Sequence, residues 1–300
     1  MKCKICGNRA VIKLRAHNIS LCEEHLIEFI ERRVERTIKE FRLINKDEKI
    51  LVPVSGGKDS LNTLFILNAL GYMVEGLHIN LGIGKYSEES QKKTENFASR
   101  YNLKIHILQV KEILSYSTPE AAKKLRRPAC SVCGLVKRYL FNKFAYENNF
   151  QVVATGHNLD DEAATLLSNI LNWQEGYIVR QNIKMDSTHP KLVKKVKPLA
   201  LISERESAAY ALIRGFDYIR EECPFAQGAT SIQIKNSLNM LEEESPGTKL
   251  RFYKGFLKQN IIKREEKEIK LKECKICGYP TTRDLCTFCT MRERLLPKID

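Results

Sequence analysis

The sequence has no long hydrophobic run. Its longest apolar stretches, such as residues 51–54, are far shorter than the roughly 18 residues that a membrane span needs. Residues 1–6 likewise contain no apolar segment of the kind found in signal peptides. The chain is therefore predicted to have no membrane partner and to be cytoplasmic.

Glycine, proline and acidic residues are also scarce. With 15 glycines and 9 prolines in 300 residues, the composition excludes collagenous and low-complexity chains. At about 150 residues per domain, this length predicts roughly two domains, with a core that needs no disulfides. The 36 acidic residues face 50 basic ones. The net charge of +14 favours a polyanionic partner, although a surface adapted only for solubility would show the same excess.

Cysteine, in contrast, is abundant, and most of the ten cysteines fall into C-x2-C or C-x2-H units. In a reducing compartment such close pairs favour metal binding over disulfides. Two complete four-ligand sets lie near the chain ends, and each is predicted to hold a structural, tetrahedral Zn²⁺. The first set is Cys3, Cys6, Cys22 and His25, and the second is Cys274, Cys277, Cys286 and Cys289. The alternative is buried thiols or a redox dithiol.

Between the two cysteine sets, helical and strand patterns alternate. Apolar residues at intervals of three and four predict an amphipathic helix from residue 27 to about residue 45. The unbroken apolar run at 50–54 is typical of a strand covered on both faces. Further strands are predicted at 73–79, 105–110 and 151–155, and helices at 59–70, 87–101, 133–148 and 160–172. This alternation predicts a doubly wound parallel sheet, an α/β fold whose ligands gather at the carboxyl ends of the strands.

Beyond residue 175 the alternation fades into helices. Ser203 and Glu206 have the spacing of a capping box, and Gly215 can end the helix that they begin. Two polar helices are predicted at 230–243 and 247–259. The charged run 263–273 is interpreted as a linker or a solvated helix.

The sequence SGGKDS at 55–60 lies between the first buried strand and a helix. Two glycines allow close backbone approach, and the turn's N–H groups, the Ser55 and Ser60 hydroxyls and the helix N-terminus can all bind phosphate oxygens. The spacing is not that of a Walker A motif, nor of the G-x-G-x-x-G loop of dinucleotide binders. The alternative is an ordinary glycine-rich turn.

This loop resembles the signature of the PP-loop ATP pyrophosphatases. Three more segments, 127–139 (RPACSVCGLVKRY), 154–162 (ATGHNLDDE) and 222–225 (ECPF), together with both terminal cysteine sets, resemble the TtuA-type tRNA 2-thiouridine synthetases. The resemblance covers nearly the whole chain. It implies a PP-loop domain flanked by N- and C-terminal zinc modules, with the following limits: zinc finger 1–26, linker helix 27–48, catalytic domain 49–228, helical tRNA-binding extension 229–272 and zinc ribbon 273–300.

The resemblance also implies a site for ATP and Mg²⁺. Asp59 and Asp161 are the carboxylates favoured for orienting the metal or the substrate, and Lys137 is predicted to stabilise charge on the transferring group. These three are the predicted catalytic residues, although Lys137 can also be read as an exposed helix lysine. The predicted ATP-binding residues are Pro53, Val54, Ser55, Gly56, Gly57, Lys58, Asp59, Ser60, His78, Ile79, Lys137, Gly156 and Asp161.

Three cysteines remain: Cys130, Cys133 and Cys223. Three thiolates are one too few for a closed zinc site or a fully ligated iron–sulfur cluster. In similar proteins these positions hold a [4Fe–4S] cluster whose fourth iron binds a sulfide. A cysteine-persulfide relay and buried or zinc-bound thiols remain as alternatives, because spacing does not separate them.

The function that the resemblance implies is ATP-dependent tRNA 2-thiolation, in which the uridine C2 oxygen is adenylated and replaced by sulfur. The implied partners are tRNA, a ubiquitin-like thiocarboxylated carrier or free sulfide, and a second copy in a homodimer. The basic runs 123–127 and 191–197 can contact tRNA phosphates or be merely solvated. The alternatives are another PP-loop adenylating enzyme and a non-catalytic zinc RNA-binding module. The motifs do not decide between a T-loop and a wobble uridine.

Overall fold

The computed structural model describes residues 1–226, 230–259 and 271–296. The charged run 263–273 lies outside the described residues except for its last three. Within the described part, no helix combines the length and apolar character that crossing a membrane requires.

The chain begins with a small module built on a hairpin. Strands β1 (Ile12–Leu14) and β2 (Ile19–Leu21) pair antiparallel, and helix α1 (Glu23–Glu40) starts directly after Cys22. The apolar stripe of α1 faces the core and buries Leu26, Ile30, Val34 and Ile38. The helix ends earlier than the predicted residue 45, because Arg42 adopts a left-handed conformation with a φ of 48°.

A six-stranded sheet forms the centre of the molecule. Its strands are β3 (Lys49–Pro53), β4 (Met73–Asn80), β5 (Ile105–Gln109), β6 (Val152–Ala154), β7 (Lys184–Met185) and β8 (Lys194–Val196). They lie in the order β5-β4-β3-β6-β8-β7, and every pair is parallel except β7 with β8. The prediction of an α/β fold with a doubly wound parallel sheet is confirmed, with a short antiparallel strand added at one edge.

Helices cover both faces of this sheet. In chain order they are α2 (Lys58–Ala69), α3 (Gly84–Arg100), α4 (Val110–Leu114), α5 (Thr118–Leu125), α6 (Ala129–Glu147), α7 (Leu159–Leu171), α8 (Glu175–Arg180), α9 (Glu204–Ile213), α10 (Thr230–Glu244), α11 (Thr248–Lys258) and α12 (Thr287–Leu295). One core cluster lies between the sheet and α1, α2 and α9, and the other lies between the sheet and α5, α6 and α12. The predicted capping box of α9 is present, with Ser203 and Glu206 bonded reciprocally.

Strand β8 and helices α4, α5 and α8 are absent from the sequence prediction. In β8 the apolar signal of a buried strand is missing, because lysines occupy its first two positions. Lys194 Nζ lies 2.7 Å from Glu48 Oε1, so an ion pair rather than an apolar side chain satisfies this position. The short helices α4, α5 and α8 fall below the length at which a helical period is recognisable.

Helices α10 and α11 pack against α7. An apolar cluster around Ala163, Ala164 and Leu238 joins the three helices. Buried polar contacts add to it: the Lys249 ammonium of α11 pairs with the Asp160 carboxylate, and the Tyr253 hydroxyl donates to Glu162 Oε2 at 2.9 Å. Both carboxylates belong to the first turn of α7, where the helix dipole favours negative charge. The predicted extension is thus attached to the sheet domain at the beginning of α7. The predicted domain limits and its tRNA-binding role stay predictions.

The C-terminal module docks on α6. It contains the hairpin β9 (Lys272–Glu273) with β10 (Pro280–Thr281) and helix α12. The ring of Phe288 stacks on Tyr139 of α6, with centroids 3.8 Å apart and an interplanar angle of 6°. Lys124 Nζ also donates to the carbonyl of Leu295 at 2.7 Å. The stack thus holds the module against α6, which carries two of the remaining cysteines, and the Lys124 contact holds it against α5.

Replacing Phe288 with Ala tests this docking. The change removes a buried ring and its stack on Tyr139, so we expect the free energy of unfolding to fall by about 3–5 kcal/mol. Chemical denaturation of the zinc-loaded protein measures it. The control is Leu296→Ala, at a half-exposed position at the end of the same helix. Equal stability of the two variants would show that the stack contributes nothing.

Candidate functional site

The loop at 55–60 forms a closed turn between β3 and α2. Gly56 has a φ of +75°, and a Cβ built on it would lie 2.8 Å from the carbonyl oxygen of Ser90. Ser60 Oγ accepts from the Ser55 amide at 3.1 Å and donates to the carbonyl of Gly57 at 2.9 Å. Only glycine can combine this positive φ with such close contact to α3, so the loop depends on Gly56.

A cavity of about 330 Å³ opens beside this turn, at the carboxyl ends of β3, β4 and β6. Most of the predicted ATP-binding residues line it: Pro53, Val54, Ser55, Gly57, Asp59, Ser60, His78, Ile79, Lys137 and Gly156. Lining residues that the sequence analysis did not assign to ATP are Leu81, Tyr86, Ser87, Ser90, Phe141, Thr155 and His157. Two of these missed residues, Thr155 and His157, are the neighbours of Gly156 in the 154–162 motif, so the sequence analysis identified their segment but not their role. Leu81 follows the end of β4, and the others come from α3 and α6; none carries a local signal.

His78 brings an unsatisfied polar atom to the wall of this cavity. Its side chain is 2% exposed, and its Nδ1 lies 2.9 Å from the carbonyl oxygen of Val54, to which it must donate. The other nitrogen, Nε2, is therefore an acceptor, and it has no hydrogen-bond partner among the described residues. Burial lowers the pKa of His78 and favours the neutral imidazole. A bound ligand that donates a hydrogen bond would satisfy this atom.

Lys58 turns away from the cavity into an ion-pair cluster. Its Nζ lies 3.0 Å from both Asp59 Oδ2 and Glu204 Oε1. Burial alone would lower the pKa of Lys58, but the two carboxylates outweigh it and raise that pKa. Asp59 Oδ1 also accepts from the Ser207 hydroxyl at 2.5 Å. The predicted ATP contact of Lys58 would thus require its ion pairs to rearrange.

Asp161 lies outside the lining of this cavity. Its Oδ2 accepts from the amide of Asn158 at 3.1 Å in a capping box, and its Oδ1 lies 2.5 Å from Lys235 Nζ of α10. Both carboxylate oxygens are therefore engaged. A metal-binding role for Asp161 stays a prediction, and it would compete with Lys235.

The three unassigned cysteines lie on the other side of Lys137. Cys130 and Cys133 belong to the first turns of α6, and Cys130 Sγ donates to the carbonyl of Phe225 at 3.3 Å, which brings in the segment that carries Cys223. Burial raises the pKa of Cys133, and the neighbouring thiols of Cys223 and Cys130 add to it, whereas the Lys137 ammonium lowers it. Lys137 thus contacts both the cavity wall and the cysteine set.

The two terminal ligand sets have the dimensions of mononuclear zinc sites. At a Zn–S bond length of about 2.3 Å, tetrahedral geometry separates two sulfurs by about 3.8 Å. The Sγ atoms of Cys6 and Cys22 are 3.8 Å apart, and those of Cys277 and Cys286 are 3.7 Å apart. The four ligand atoms of each set lie within 4.8 Å of one another. Both sets therefore fit one zinc ion each.

Backbone amides lower the pKa of one thiol in each set and so favour its thiolate form. Desolvation opposes ionisation at Cys274, but amides from Cys286, Cys277 and Ile276 lower its pKa to about 6. At Cys3 the corresponding amides likewise overcome desolvation and lower the pKa to about 6. Such thiols are thiolates near neutral pH, the form that binds zinc.

The central trio differs from these sets. Among the described residues, the two terminal sets are those that bring three or more potential ligand atoms within 4.8 Å of one another. The sulfurs of Cys130, Cys133 and Cys223 do not all lie within this distance. At least one pair of these sulfurs is therefore more than 4.8 Å apart, which exceeds the separation of two sulfurs on one zinc ion.

The two basic runs also differ from each other. In the run 191–197, Lys191 lies 2.8 Å from a Glu273 carboxylate oxygen, Lys194 pairs with Glu48, and Lys197 lies 2.8 Å from a Glu162 oxygen. In the run 123–127, Lys123, Arg126 and Arg127 are exposed. The first run is largely neutralised within the fold, whereas the second remains available to solvent.

Comparison with known proteins agrees with this arrangement. Residues 27–227 match the family model of the PP-loop domain, and residues 2–27 match the N-terminal LIM domain of the 2-thiouridine synthetase TtuA. The chain is 51% identical to tRNA-5-methyluridine(54) 2-sulfurtransferase of Pyrococcus horikoshii over 96% of this chain and 93% of that protein. It is 50% identical to the protein of the same name from Thermotoga maritima, over 98% and 97% of the two chains.

A solved structure has the same fold. The U34-tRNA thiolase NcsA from Methanococcus maripaludis, determined with its [4Fe–4S] cluster, superimposes with a TM-score of 0.84 at 25% identity. The match covers 98% of this chain and 96% of that chain. The similarity therefore includes both terminal modules as well as the central sheet.

Replacing Gly56 with Ala should weaken nucleotide binding. The added Cβ would meet Ser90 O and would also occupy a strained φ, so the turn must move away from the phosphate position. We expect the Kd for Mg²⁺-ATP to rise at least about tenfold in isothermal titration calorimetry. Gly176→Ala, where a Cβ meets nothing within 4 Å, should leave the Kd unchanged. Wild-type affinity in Gly56→Ala would contradict this account of the loop.

Single ligand substitutions should remove one zinc ion at a time. Cys22→Ser breaks the first set and Cys274→Ser the second, and a three-ligand site holds zinc far more weakly. Plasma mass spectrometry of purified protein should therefore give two zinc ions per chain for the wild type and one for each variant. Two ions retained in either variant would show that the substituted residue is not a ligand.

Proposed function

Since the chain belongs to the TtuA-type tRNA 2-thiouridine synthetases of the PP-loop superfamily, we propose that it is an ATP-dependent tRNA 2-sulfurtransferase. The observation that carries the proposal is the position of Lys137, between the nucleotide cavity and the three-cysteine set. An adenylating site and a sulfur site that share one wall can act on the same base. A non-catalytic RNA-binding module would need neither.

In the first step ATP occupies the 330 Å³ cavity, with its phosphates on the turn at 55–60. Amides of the turn and the N-terminus of α2 bind the phosphate oxygens. The unpaired Nε2 of His78 accepts a hydrogen bond from a donor group of the nucleoside. Asp59 lines the cavity and would bind Mg²⁺, a hard cation that takes carboxylate and phosphate oxygens, once its contacts with Lys58 and Ser207 rearrange.

The uridine is activated by attack of its C2 oxygen on the α-phosphorus, and pyrophosphate leaves. Lys137 stabilises the negative charge that develops on the α-phosphate. The sulfur nucleophile then adds at C2, and the adenylated oxygen leaves within AMP. Adenylation thus converts an inert carbonyl oxygen into a leaving group.

Cys130, Cys133 and Cys223 would hold a [4Fe–4S] cluster. The wide spacing of the trio and the cluster of the NcsA structure support this assignment. When bound, such a cluster supplies an iron that lacks a cysteine ligand and can carry the sulfide for transfer. Cys133 is partly buried and lies beside Lys137, whereas Cys130 is exposed to solvent.

The target is proposed to be the uridine at position 54. Relatives at 50–51% identity carry the name tRNA-5-methyluridine(54) 2-sulfurtransferase, whereas the U34-tRNA thiolase NcsA is 25% identical. The sulfur carrier, the homodimer and the cytoplasmic location stay predictions, because no contact among the described residues bears on them.

The function is tested with anaerobically reconstituted protein, unmodified or 5-methylated tRNA, Mg²⁺-ATP and sulfide. Mass spectrometry of nuclease fragments should place one sulfur atom at position 54, with AMP formed in equal amount. Sulfur at position 34 would overturn the proposed target. The absence of both thiolation and AMP would overturn the function.

Cys130→Ala should separate the two half-reactions. With one of three ligands lost, iron and acid-labile sulfide content should fall to below about a tenth, and thiolation should fall with them. Mg²⁺-ATP affinity should remain within about twofold, because Cys130 does not line the nucleotide cavity. Full thiolation by an iron-free variant would exclude the cluster and leave the persulfide relay.

A further inference from the structure

A second and larger cavity, of about 760 Å³, lies beside the nucleotide cavity. The two share Gly57 and Asp59 of the loop. The walls of the larger cavity come from the N-terminal hairpin, from α9, from α10 and α11, and from the segment 218–220. This segment leads to Cys223, so the cavity lies between the loop and the approach to the cysteine set.

The basic residues at the floor of this cavity are already paired. The Arg33 guanidinium and His17 Nε2 both contact the carboxylate of Glu206, and the His17 distance is 3.0 Å. Glu206 is buried, and although burial opposes ionisation, these partners lower its pKa to about 2. Lys58 and Lys249 likewise have the carboxylate partners described above. Arg33, Lys58 and Lys249 are therefore neutralised within the fold and supply no net charge to a ligand.

Four further basic residues around the cavity are exposed: Lys13, Arg15, Arg205 and Arg220. We call them the cationic rim. Within ranges 1–226, 230–259 and 271–296, none of the four has a carboxylate within ion-pair distance of its side chain. Of the acidic residues that line the cavity, Glu242 and Glu243 have no ion pair among the described residues, although Glu242 accepts from the amides of Gly247 and Lys249, so the four cations outnumber the unpaired carboxylates. The rim therefore has a net positive charge.

The rim is assembled from three distant parts of the chain. Lys13 and Arg15 come from the N-terminal module, Arg205 from the first turn of α9, and Arg220 from the segment before Cys223. Nothing in their local sequence marks them as a group. Unpaired arginines held at the mouth of a cavity favour phosphate oxygens, which they bind through paired N–H donors.

We propose that the cationic rim binds the phosphodiester backbone of the tRNA next to the target uridine. This inference rests on the proposed function, and it specifies which surface of the protein binds the tRNA. The cavity shares the loop at which the uridine must be adenylated, so a strand held at the rim lies beside the reaction site. Tyr218 also lines the cavity, and the Arg220 guanidinium lies over its ring, 5.6 Å from the centroid.

A small phosphate ligand explains the rim less well. The four basic residues are spread around the opening of a cavity of about 760 Å³, more than twice the volume of the nucleotide cavity of about 330 Å³. One pyrophosphate would leave most of them without a contact. Successive phosphates of a polynucleotide would engage them together, and each contact would release counterions.

The test compares three variants that each lose three positive charges. Arg15→Gln/Arg205→Gln/Arg220→Gln removes the arginines of the rim. Arg36→Gln/Lys92→Gln/Lys111→Gln is the matched control, since these residues are exposed and lie away from both cavities. Lys123→Gln/Arg126→Gln/Arg127→Gln removes the exposed basic run. The affinity of the full-length, metal-loaded proteins for tRNA is measured by fluorescence anisotropy between about 50 and 300 mM salt.

We expect the rim variant to bind tRNA at least about tenfold more weakly than the wild type at 0.1 M salt. Its slope of log affinity against log salt should be smaller by about 2–3, because each lost phosphate contact removes about 0.7–0.9. The control should change the slope by less than about 0.5, and the Kd for Mg²⁺-ATP should be the same in all variants.

Several outcomes would overturn the inference. Unchanged tRNA affinity in the rim variant would do so, and so would equal weakening in the control, which would show a general effect of charge. A loss confined to Lys123→Gln/Arg126→Gln/Arg127→Gln would move the RNA surface to that run. Weaker binding of ATP but not of tRNA would assign the rim to a small phosphate. If the wild type itself bound no tRNA, the proposed function would fail.

Discussion

Helix α6 is the element on which the site depends, because it fixes three chemical groups on consecutive turns. Cys130 and Cys133 project from its beginning, and Lys137 follows one turn later at the wall of the nucleotide cavity. Because all three residues lie on one helix with a rise of about 1.5 Å per residue, the distance between the sulfur site and the nucleotide cavity does not depend on the conformation of a loop. The Tyr139–Phe288 stack anchors this helix to the C-terminal module. The C-terminal cysteine module thereby supports the position of α6.

A second constraint is a set of three ion pairs at the beginning of α7, of which two are buried and the Asp161–Lys235 pair is partly exposed. Asp160 pairs with Lys249, Asp161 with Lys235, and Glu162 with Lys197. Buried pairs of this kind contribute little net stability, but breaking one leaves a costly unpaired charge. They therefore set the position of α10 and α11 relative to the loop. They also explain why a carboxylate that sequence motifs suggest for metal binding is engaged within the fold.

The ten cysteines illustrate how one residue type serves two purposes. The terminal sets bring their sulfurs to the separation that a single tetrahedral ion requires, and the central trio spreads its sulfurs more widely. The terminal sets are compact because each ligand pair comes from one tight turn. The trio joins a helix to the distant Cys223, so its spacing follows from the packing of the 218–226 segment over the loop.

The sequence by itself determined the α/β fold, the phosphate-binding turn and the two terminal ligand sets, because each depends on spacing within a few consecutive residues. It also pointed to most residues that line the nucleotide cavity, through motifs at the ends of strands. Only the tertiary structure decided which charges are free. The lysines at 191–197 form a continuous basic run in sequence, yet Glu48, Glu162 and Glu273 neutralise three of them. Lys13, Arg15, Arg205 and Arg220 are scattered in sequence, yet they surround one cavity. Ion pairing depends on which distant residues the fold brings together, so it cannot be predicted from the local sequence.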